Sequence, residues 1–146
     1  MSHEFLEAKS ALKALVDAFS ILADEKRIPD QMLLLTPDTK LQVYMGDELL
    51  VDISGTQQVE EAFTAFTASV KRSFHMNGQQ VVEIDGDSAT GITYCQVKHV
   101  SEEDGHEVLT DSSVRYEDEY IRQDGRWYIS ARIAHFTVND KRTLQS

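Results

Sequence analysis

Apolar and polar residues alternate along two long runs that meet at Asp124-Gly125, within the segment from Ser113 to Phe136. Alternation with a period of two is typical of β-strands. An Asp-Gly pair between two such runs indicates a tight hairpin, because both central residues of the favoured turn need a positive φ. The register predicted from this turn pairs Gln123 with Arg126, Tyr120 with Ile129, Asp118 with Ala131, and Glu117 with Arg132.

The two predicted faces of this hairpin differ in character. One is mainly apolar and carries Val114, Tyr116, Tyr120, Trp127, Ile129, Ala131 and Ile133, with Asp118 and His135 among them. The other carries Arg115, Glu117, Glu119, Ile121, Tyr128, Ser130, Arg132 and Phe136. Because a sheet that is apolar on one face needs a cover there, we expect helices or a second copy of the chain to pack against it.

Apolar spacing also predicts the elements that precede this hairpin. From Glu4 to about Glu25, apolar residues recur every three or four positions, which is typical of a helix with one buried face. Further along the chain, the pattern predicts a short helix from Gln31 to Leu35, strands Lys40–Met45 and Leu49–Ile53 about a turn at Gly46-Asp47-Glu48, and a helix from Gln57 to about Lys71 with Thr56 as its N-cap.

A second hairpin is predicted from the runs Ser73–Glu83 and Ser88–His99, with its turn at Asp85-Gly86. The predicted register sets His75 opposite Gln96, Asn77 opposite Tyr94, and Gln79 opposite Ile92, and it places His99 on the opposite face from His75. The acidic stretch from Ser101 to Thr110 is predicted to be a solvated loop between the two hairpins.

Length and composition narrow the class of protein. At 146 residues the chain fits one domain over 1–146, and no apolar run approaches the roughly 20 residues that span a membrane. The N-terminus lacks the basic-then-apolar order of a signal peptide, and the one cysteine, Cys95, cannot form an internal disulfide. We therefore expect a soluble cytoplasmic protein. Its net charge of −11 repels phosphate backbones, which argues against nucleic acid as a partner.

The predicted order is helix, short helix, two strands, helix and four strands, an α+β plan in which three helices cover one face of a curved antiparallel sheet. Together with the segments LLTPD (34–38), EIDGDSA (83–89) and YEDEYIRQDGRWYISAR (116–132), this order resembles the SnoaL-like branch of the nuclear transport factor 2-like superfamily. The resemblance covers nearly the whole chain. It implies a cone-shaped α+β barrel that encloses a pocket, and a homodimer formed through the outer face of the sheet.

The resemblance to dehydratase members of this superfamily also implies a catalytic pair, Asp24 and His75. In such a pair the carboxylate fixes the tautomer of the imidazole while the ring moves a proton near neutral pH. The alternative is a buried structural histidine beside a solvated helix end. The dehydratases have a tyrosine where this chain has Phe19, so Tyr44 or Tyr94 would have to supply the missing hydroxyl.

Two charged residues complete the predicted site. Arg132 matches an arginine in the pocket of some dehydratases, where it could hold a carboxylate or orient an oxyanion; the alternative is a cross-strand ion pair with Glu117. Glu117 itself falls near the position where ketosteroid isomerase places a protonated acid, although a facing arginine would oppose that role. Because His75, His99 and His135 lack metal-ligand spacing, we expect no metal.

Two functions remain open at this stage. The first is a cofactor-free acid–base enzyme, a dehydratase, isomerase or cyclase, acting on a small apolar or cyclic substrate: His75 and Asp24 move the proton, and Tyr44, Tyr94, Arg132, Phe19 and Glu117 contact the substrate. The second is a non-catalytic pocket or dimeric scaffold protein that holds a small hydrophobic ligand, which the phenylalanine at 19 favours.

Overall fold

The computed structural model describes residues 2–145, which form three helices and six strands. In chain order these are α1 (His3–Asp24), α2 (Ile28–Met32), β1 (Leu35–Met45), β2 (Glu48–Ser54), α3 (Thr56–Thr67), β3 (Arg72–Asp85), β4 (Ser88–Glu103), β5 (His106–Gln123) and β6 (Arg126–Thr143). The predicted order of helices and strands is confirmed.

The six strands form one curved sheet in the order β2-β1-β6-β5-β4-β3. Neighbouring strands are antiparallel except β1 and β6, which run parallel, so the sheet is mixed. The sheet does not close, and β2 and β3 are its edges. The α+β class predicted from the sequence is confirmed.

Helix α1 covers the inner face of the sheet. It begins at the N-cap Ser2, whose hydroxyl accepts the backbone N–H of Phe5 at 3.1 Å and so satisfies one of the free donors of the first turn. Its buried stripe consists of Ala8, Leu12, Leu15, Val16 and Phe19. Each large side chain buried here contributes roughly 1.5–3 kcal/mol, which exceeds what helix propensity alone supplies. Tertiary packing therefore stabilises this helix.

The C-terminus of α1 reverses the chain through a Schellman motif. The N–H of Arg27 donates to the carbonyl of Leu22 at 2.9 Å, and the N–H of Lys26 donates to that of Ala23 at 3.0 Å. Lys26 has a φ of +58°, the left-handed conformation in which residues other than glycine are less stable by about 1–2 kcal/mol. The Lys26 ammonium donates to the carbonyl of Val70, which ties the end of α1 to the segment before β3.

One extra residue in β6 changes the faces of the final hairpin. The predicted pairs Gln123–Arg126 and Tyr120–Ile129 are confirmed, and Asp124 and Gly125 both have positive φ. A β-bulge follows, because Glu119 pairs with Ala131 and Ser130 is left without a partner. The predicted pairs of Asp118 with Ala131 and of Glu117 with Arg132 are wrong: Asp118 pairs with Arg132, and Glu117 with Ile133.

Beyond the bulge, each β6 side chain lies on the face opposite to the predicted one. Arg132 and Ala134 are buried on the inner face, while Ala131, Ile133 and His135 share the outer face with Glu117. Tyr116, Tyr120, Trp127 and Ile129 are also buried inside. Of the two covers expected for this apolar set, helices or a second copy of the chain, the structure has the first: helices α1 to α3 and the sheet's own side chains cover it.

The second hairpin turns one residue later than predicted. Asp85 pairs with Ser88, so Gly86 and Asp87 are the central residues, and of the two only Gly86 has a positive φ. A bulge between Asn77 and Gln80 shifts the register again. As a result His75 pairs with Val97, Asn77 with Cys95 and Gln80 with Thr93, and the predicted pairs are wrong.

Three local predictions also need correction. The stretch 101–110 is the tip of a third hairpin, because Asp104 and Gly105 both take positive φ and extend β4 and β5 to the turn. The short helix lies at Ile28–Met32, with Pro29 in its first turn, and β1 already begins at Leu35. Helix α3 follows Gly55 and ends at Thr67. No helix within residues 2–145 is both long and apolar enough to cross a membrane.

Candidate active site

A cavity of about 460 Å³ lies between the three helices and the inner face of the sheet. Its size falls within the roughly 300–1,000 Å³ of ligand pockets. Its apolar lining residues include Leu41, Val43, Met45, Leu50, Val51, Phe63, Phe66 and Phe136. Its polar lining residues include Lys26, Ser73, His75, His99, Thr110, Ser112, Arg132 and Asn139. The cavity therefore has the mixed lining expected where a small molecule is bound and oriented.

Asp24 and His75 meet at the wall of this cavity. The Nδ1 atom of His75 lies 2.6 Å from Oδ1 of Asp24, with side chains 12% and 25% exposed respectively. Oδ2 of Asp24 accepts the backbone N–H of His75 at 3.0 Å, and Oδ1 also accepts the hydroxyl of Ser73 at 3.1 Å. These three bonds fix the carboxylate, which lies at the C-terminal end of α1, where the helix dipole disfavours negative charge.

The geometry of this pair determines the tautomer of His75. A carboxylate can only accept hydrogen bonds, so the proton of the neutral ring lies on Nδ1. Nε2 then carries the free lone pair and can accept a proton. When it does, the adjacent carboxylate stabilises the imidazolium. The pair is thus suited to general base chemistry.

His99 is a second histidine on the same wall, and the sequence reasoning missed it. The centroids of the His75 and His99 rings are 5.8 Å apart in an edge-to-face arrangement, and the Phe66 ring lies 4.9 Å from His99. Burial, with a smaller effect of the neighbouring His75, lowers the pKa of His99 from 6.5 to about 4. The prediction that His99 faces away from His75 is wrong, because the bulge between Asn77 and Gln80 shifts the register by one and pairs His99 with Ser73, on the same face as His75.

We expect the low pKa of His99 to make the protein acid-sensitive. Between pH 6.5 and about 4 the unfolded chain protonates this histidine while the folded chain does not, so the free energy of unfolding falls as the pH falls through this window. The loss attributable to His99 is roughly 1–3 kcal/mol. Urea titrations at pH 4.5, 5.5 and 7.5 should show a shallower decline for His99→Gln than for the unmodified chain. Parallel declines would contradict the assignment.

Arg132 and Asp118 form a buried ion pair at the floor of the cavity. Nε and Nη2 of Arg132 donate to the two carboxylate oxygens of Asp118 at 2.8 and 3.0 Å, and the Tyr120 hydroxyl donates to Oδ2 of Asp118 at 2.8 Å. The guanidinium centre lies 3.9 Å from the ring centroid of Tyr116 and 5.1 Å from that of Phe19. Although burial disfavours its charge, the Asp118 carboxylate raises the pKa of Arg132 above its usual range. Arg132 is therefore a fixed cation.

The structure brings only some of the predicted site residues together. His75, Phe19 and Arg132 line the cavity, and Asp24 holds His75. Tyr44 instead stacks on His135 on the outer face, with ring centroids 5.5 Å apart, and Tyr94 is 45% exposed there. Neither supplies the hydroxyl that Phe19 lacks.

Glu117 also lies outside the cavity. It pairs with Arg115 at 3.1 Å and lies 3.2 Å from Nε2 of His135. The Ser130 bulge gives Arg132 a different partner, Asp118, so the predicted ion pair between Arg132 and Glu117 is absent from the structure of residues 2–145. Tyr44, Tyr94 and Glu117 are thus not among the residues that line the cavity.

A polar pair on the cavity wall completes the site. The buried Ser112 donates its hydroxyl to Oδ1 of Asn139 at 2.6 Å, so the amide nitrogen of Asn139 remains a donor for other groups. Both residues line the cavity beside Thr110. The sequence alone does not indicate them, because the acidic stretch up to Thr110 favours a loop and the alternating pattern of the final hairpin extends only to Phe136.

Comparison with protein families identifies the class to which this architecture belongs. Residues 4–133 match the family of SnoaL-like domains, and the chain belongs to this family. The curated proteins include no sequence that matches the chain.

Solved structures with low sequence identity share the fold. A candidate scytalone dehydratase from Novosphingobium aromaticivorans DSM 12444 is similar over 100% of this chain and 95% of its own, at 14% identity and a TM-score of 0.82. A type 2 hexachlorocyclohexane dehydrochlorinase is similar over 97% and 91%, at 16% identity and a TM-score of 0.78. A protein of unknown function from Mycobacterium tuberculosis is similar over 94% and 74%, at 24% identity and a TM-score of 0.76.

Proposed function

We propose that the chain is a cofactor-free acid–base enzyme of the dehydratase, isomerase or cyclase type that acts on a small apolar or cyclic substrate. The observation that carries this proposal is the hydrogen-bonded Asp24–His75 pair in the wall of a largely apolar cavity. A base in such a cavity meets its substrate away from bulk water, where its basicity and orientation are best used.

In the proposed reaction, Nε2 of His75 removes a proton from a substrate carbon. Asp24 holds the ring in the reactive tautomer and balances the imidazolium that forms. Nη1 of Arg132, which the two bonds to Asp118 leave free, donates to a substrate oxygen that gains negative charge. The imidazolium then returns the proton to the product or to the leaving group.

The structural neighbours support a reaction of this type. Two of them are named as a candidate dehydratase and a dehydrochlorinase, and both names describe the loss of a small molecule from neighbouring atoms of a substrate. Such eliminations begin with, or include, the removal of a proton by a base. At 14% and 16% identity these names suggest a reaction class for this chain and do not specify its substrate.

The ring opening of 5-nitrobenzisoxazole tests the proposal without knowledge of the natural substrate. In this reaction a base removes the carbon-bound proton, the N–O bond breaks, and the coloured 2-cyano-4-nitrophenolate is released. If Asp24 and His75 act as one unit, Asp24→Asn combined with His75→Asn should be little slower than the slower single variant. Multiplied losses in the double variant, or turnover by the unmodified chain no faster than that of free imidazole, would refute the proposal.

The second candidate function is a binding protein without catalysis. Phe19 favours it, because this ring, which packs edge-on against Phe63 and lies under the Arg132 guanidinium, occupies the position where the resemblance to dehydratases implies a tyrosine. Such a protein would hold the same apolar ligand, and His75 would serve only to order the wall. The two candidates separate in the assay above, since a binding protein retains ligand affinity and shows no turnover that depends on His75.

We also propose a homodimer, formed through the outer face of the sheet. Phe74, Met76, Ile92 and Tyr94 are exposed there, with Met76 58% exposed, and they lie on neighbouring strands. Sedimentation at micromolar concentration should give twice the chain mass of 16.5 kDa, and Met76→Lys should shift the protein toward monomer. Leu33→Lys, at an exposed site away from this face, is the control. A monomeric unmodified chain would contradict the proposal.

We further propose a cytoplasmic location. The single cysteine, Cys95, is a free and buried thiol, and burial raises its pKa, so it is protected from oxidation and alkylation. A reducing compartment suits a chain built in this way.

A further inference from the structure

The charged side chains that line the cavity are cationic, although the chain as a whole is acidic. The chain carries a net charge of −11, yet none of the residues described as lining the cavity is an aspartate or a glutamate. Two permanent cations, Lys26 and Arg132, do line it. Arg132 is neutralised by its two bonds to Asp118. Lys26 is therefore the cation whose charge remains available to a ligand.

Lys26 lies on the rim of the cavity in a constrained conformation. Its φ of +58° is one that glycine adopts more readily, and its ammonium donates to the carbonyl of Val70. Within residues 2–145, no carboxylate lies within 4.0 Å of this ammonium. The Asp24 carboxylate lies two residues before Lys26 in the chain. Both of its oxygens are already hydrogen-bonded, to His75 and Ser73.

We propose that the ligand of this cavity is an apolar organic anion, whose carboxylate or similar oxygen group binds to the Lys26 ammonium at the rim. An ammonium with one backbone bond retains two N–H donors for this group. The apolar body of the ligand packs against other lining residues of the cavity, including Phe63 and Leu41. This inference rests on the proposed function only in taking the cavity as the ligand site, and it does not require turnover.

The position of Lys26 also orients the ligand. Val70, Ser73 and His75 all lie where the chain enters β3, so the anionic group and the imidazole occupy the same end of the cavity. The proton that His75 can reach is then on a carbon near the anionic group rather than at the far end of the apolar body.

Two dyes with the same aromatic skeleton test the inference. The probe is 8-anilinonaphthalene-1-sulfonate, an apolar anion, and its neutral counterpart is N-phenyl-1-naphthylamine; both fluoresce when they enter an apolar site. The quantity measured is the Kd of the neutral dye divided by that of the anionic dye. Lys26→Met should lower this ratio by roughly five- to thirtyfold, because it removes a charge-assisted contact to the anion alone.

Three further variants make the result decisive. Lys26→Arg should retain the ratio within about twofold. Lys9→Met, which removes the same charge from an exposed site outside the cavity, should leave the ratio unchanged. Lys26→Gly relieves the left-handed conformation and should lower the ratio as Lys26→Met does, even if the methionine variant is poorly folded.

An unchanged ratio in the folded Lys26→Met and Lys26→Gly variants, or an equal fall in Lys9→Met, would overturn the inference. An equal loss of affinity for both dyes would do the same, because it would assign Lys26 the purely structural task of holding Val70. None of these measurements depends on catalysis. A chain that binds the anion through Lys26 but does not open 5-nitrobenzisoxazole would refute the enzymatic proposal and leave the inference about Lys26 intact.

Discussion

His75→Asn should lower the turnover of 5-nitrobenzisoxazole by roughly 10²–10⁴-fold, the usual contribution of a positioned base. Asparagine can still donate a side-chain hydrogen bond to Asp24, so the wall of the cavity is preserved while the basic nitrogen is lost. We therefore expect ligand affinity to stay within about tenfold and the midpoint of urea unfolding to change little. Initial rates, dye affinity and the unfolding midpoint of one preparation measure all three quantities.

The control for this prediction is His106→Asn, at an exposed histidine beside the Asp104-Gly105 turn. It should change neither rate nor stability. If His75 is only structural, its replacement should instead destabilise the fold by about 1–3 kcal/mol, because a buried partner loses its bond, and dye affinity should fall in step with stability. That pattern, with no selective loss of rate, would end the case for a catalytic pair.

Asp118→Ala should destabilise the protein by roughly 3–5 kcal/mol, the largest effect on stability that we expect from one substitution. Asp118 has no exposed side-chain surface and Arg132 only 9%, so removal of the carboxylate leaves a buried guanidinium without its counter-charge. The Tyr120 hydroxyl loses its partner as well. The measurement is urea unfolding at pH 7, with the midpoint and the slope fitted separately.

A second variant separates the buried charge from the lost contact. Replacing both partners, as Asp118→Leu with Arg132→Met, should cost less than Asp118→Ala alone, because no unpaired charge remains inside. Glu117→Ala is the matched control: its position adjoins Asp118 in the chain but lies on the outer face, so we expect a change within about 0.5 kcal/mol. Equal losses for Glu117→Ala and Asp118→Ala would show that the ion pair contributes nothing specific.

The elements that the sequence predicted well are those with local causes. Helix α1 follows from its apolar spacing, and the final hairpin follows from Asp124-Gly125, since a turn that needs two positive φ angles has few sequence solutions. The same rule would have found the third turn at Asp104-Gly105. The acidic composition of that stretch favours a loop, whereas its turn chemistry favours the hairpin tip that the structure has.

The site was harder to predict because it depends on register. The sequence and the family resemblance brought His75 and Asp24 to attention, and the structure places them within hydrogen-bonding distance. The partner of Arg132, the face of His99 and the position of Tyr94 follow from bulges, whereas Tyr44 lies on the outer face because it alternates with Leu41, Val43 and Met45. A bulge is selected by the packing of the whole sheet, and no pattern within a single strand encodes it.

The bulge at Ser130 also limits how this family can diverge. The inward direction of Arg132, Ala134 and Phe136 depends on the number of residues between Ile129 and Arg132 rather than on their identity. Substitutions can change the shape of the cavity in small steps. The deletion of one residue here would instead turn Arg132 and Ala134 outward and bring Ala131 and Ile133 to the inner face in a single event. Relatives that differ in length at this point should therefore differ abruptly in ligand, even where the surrounding residues are alike.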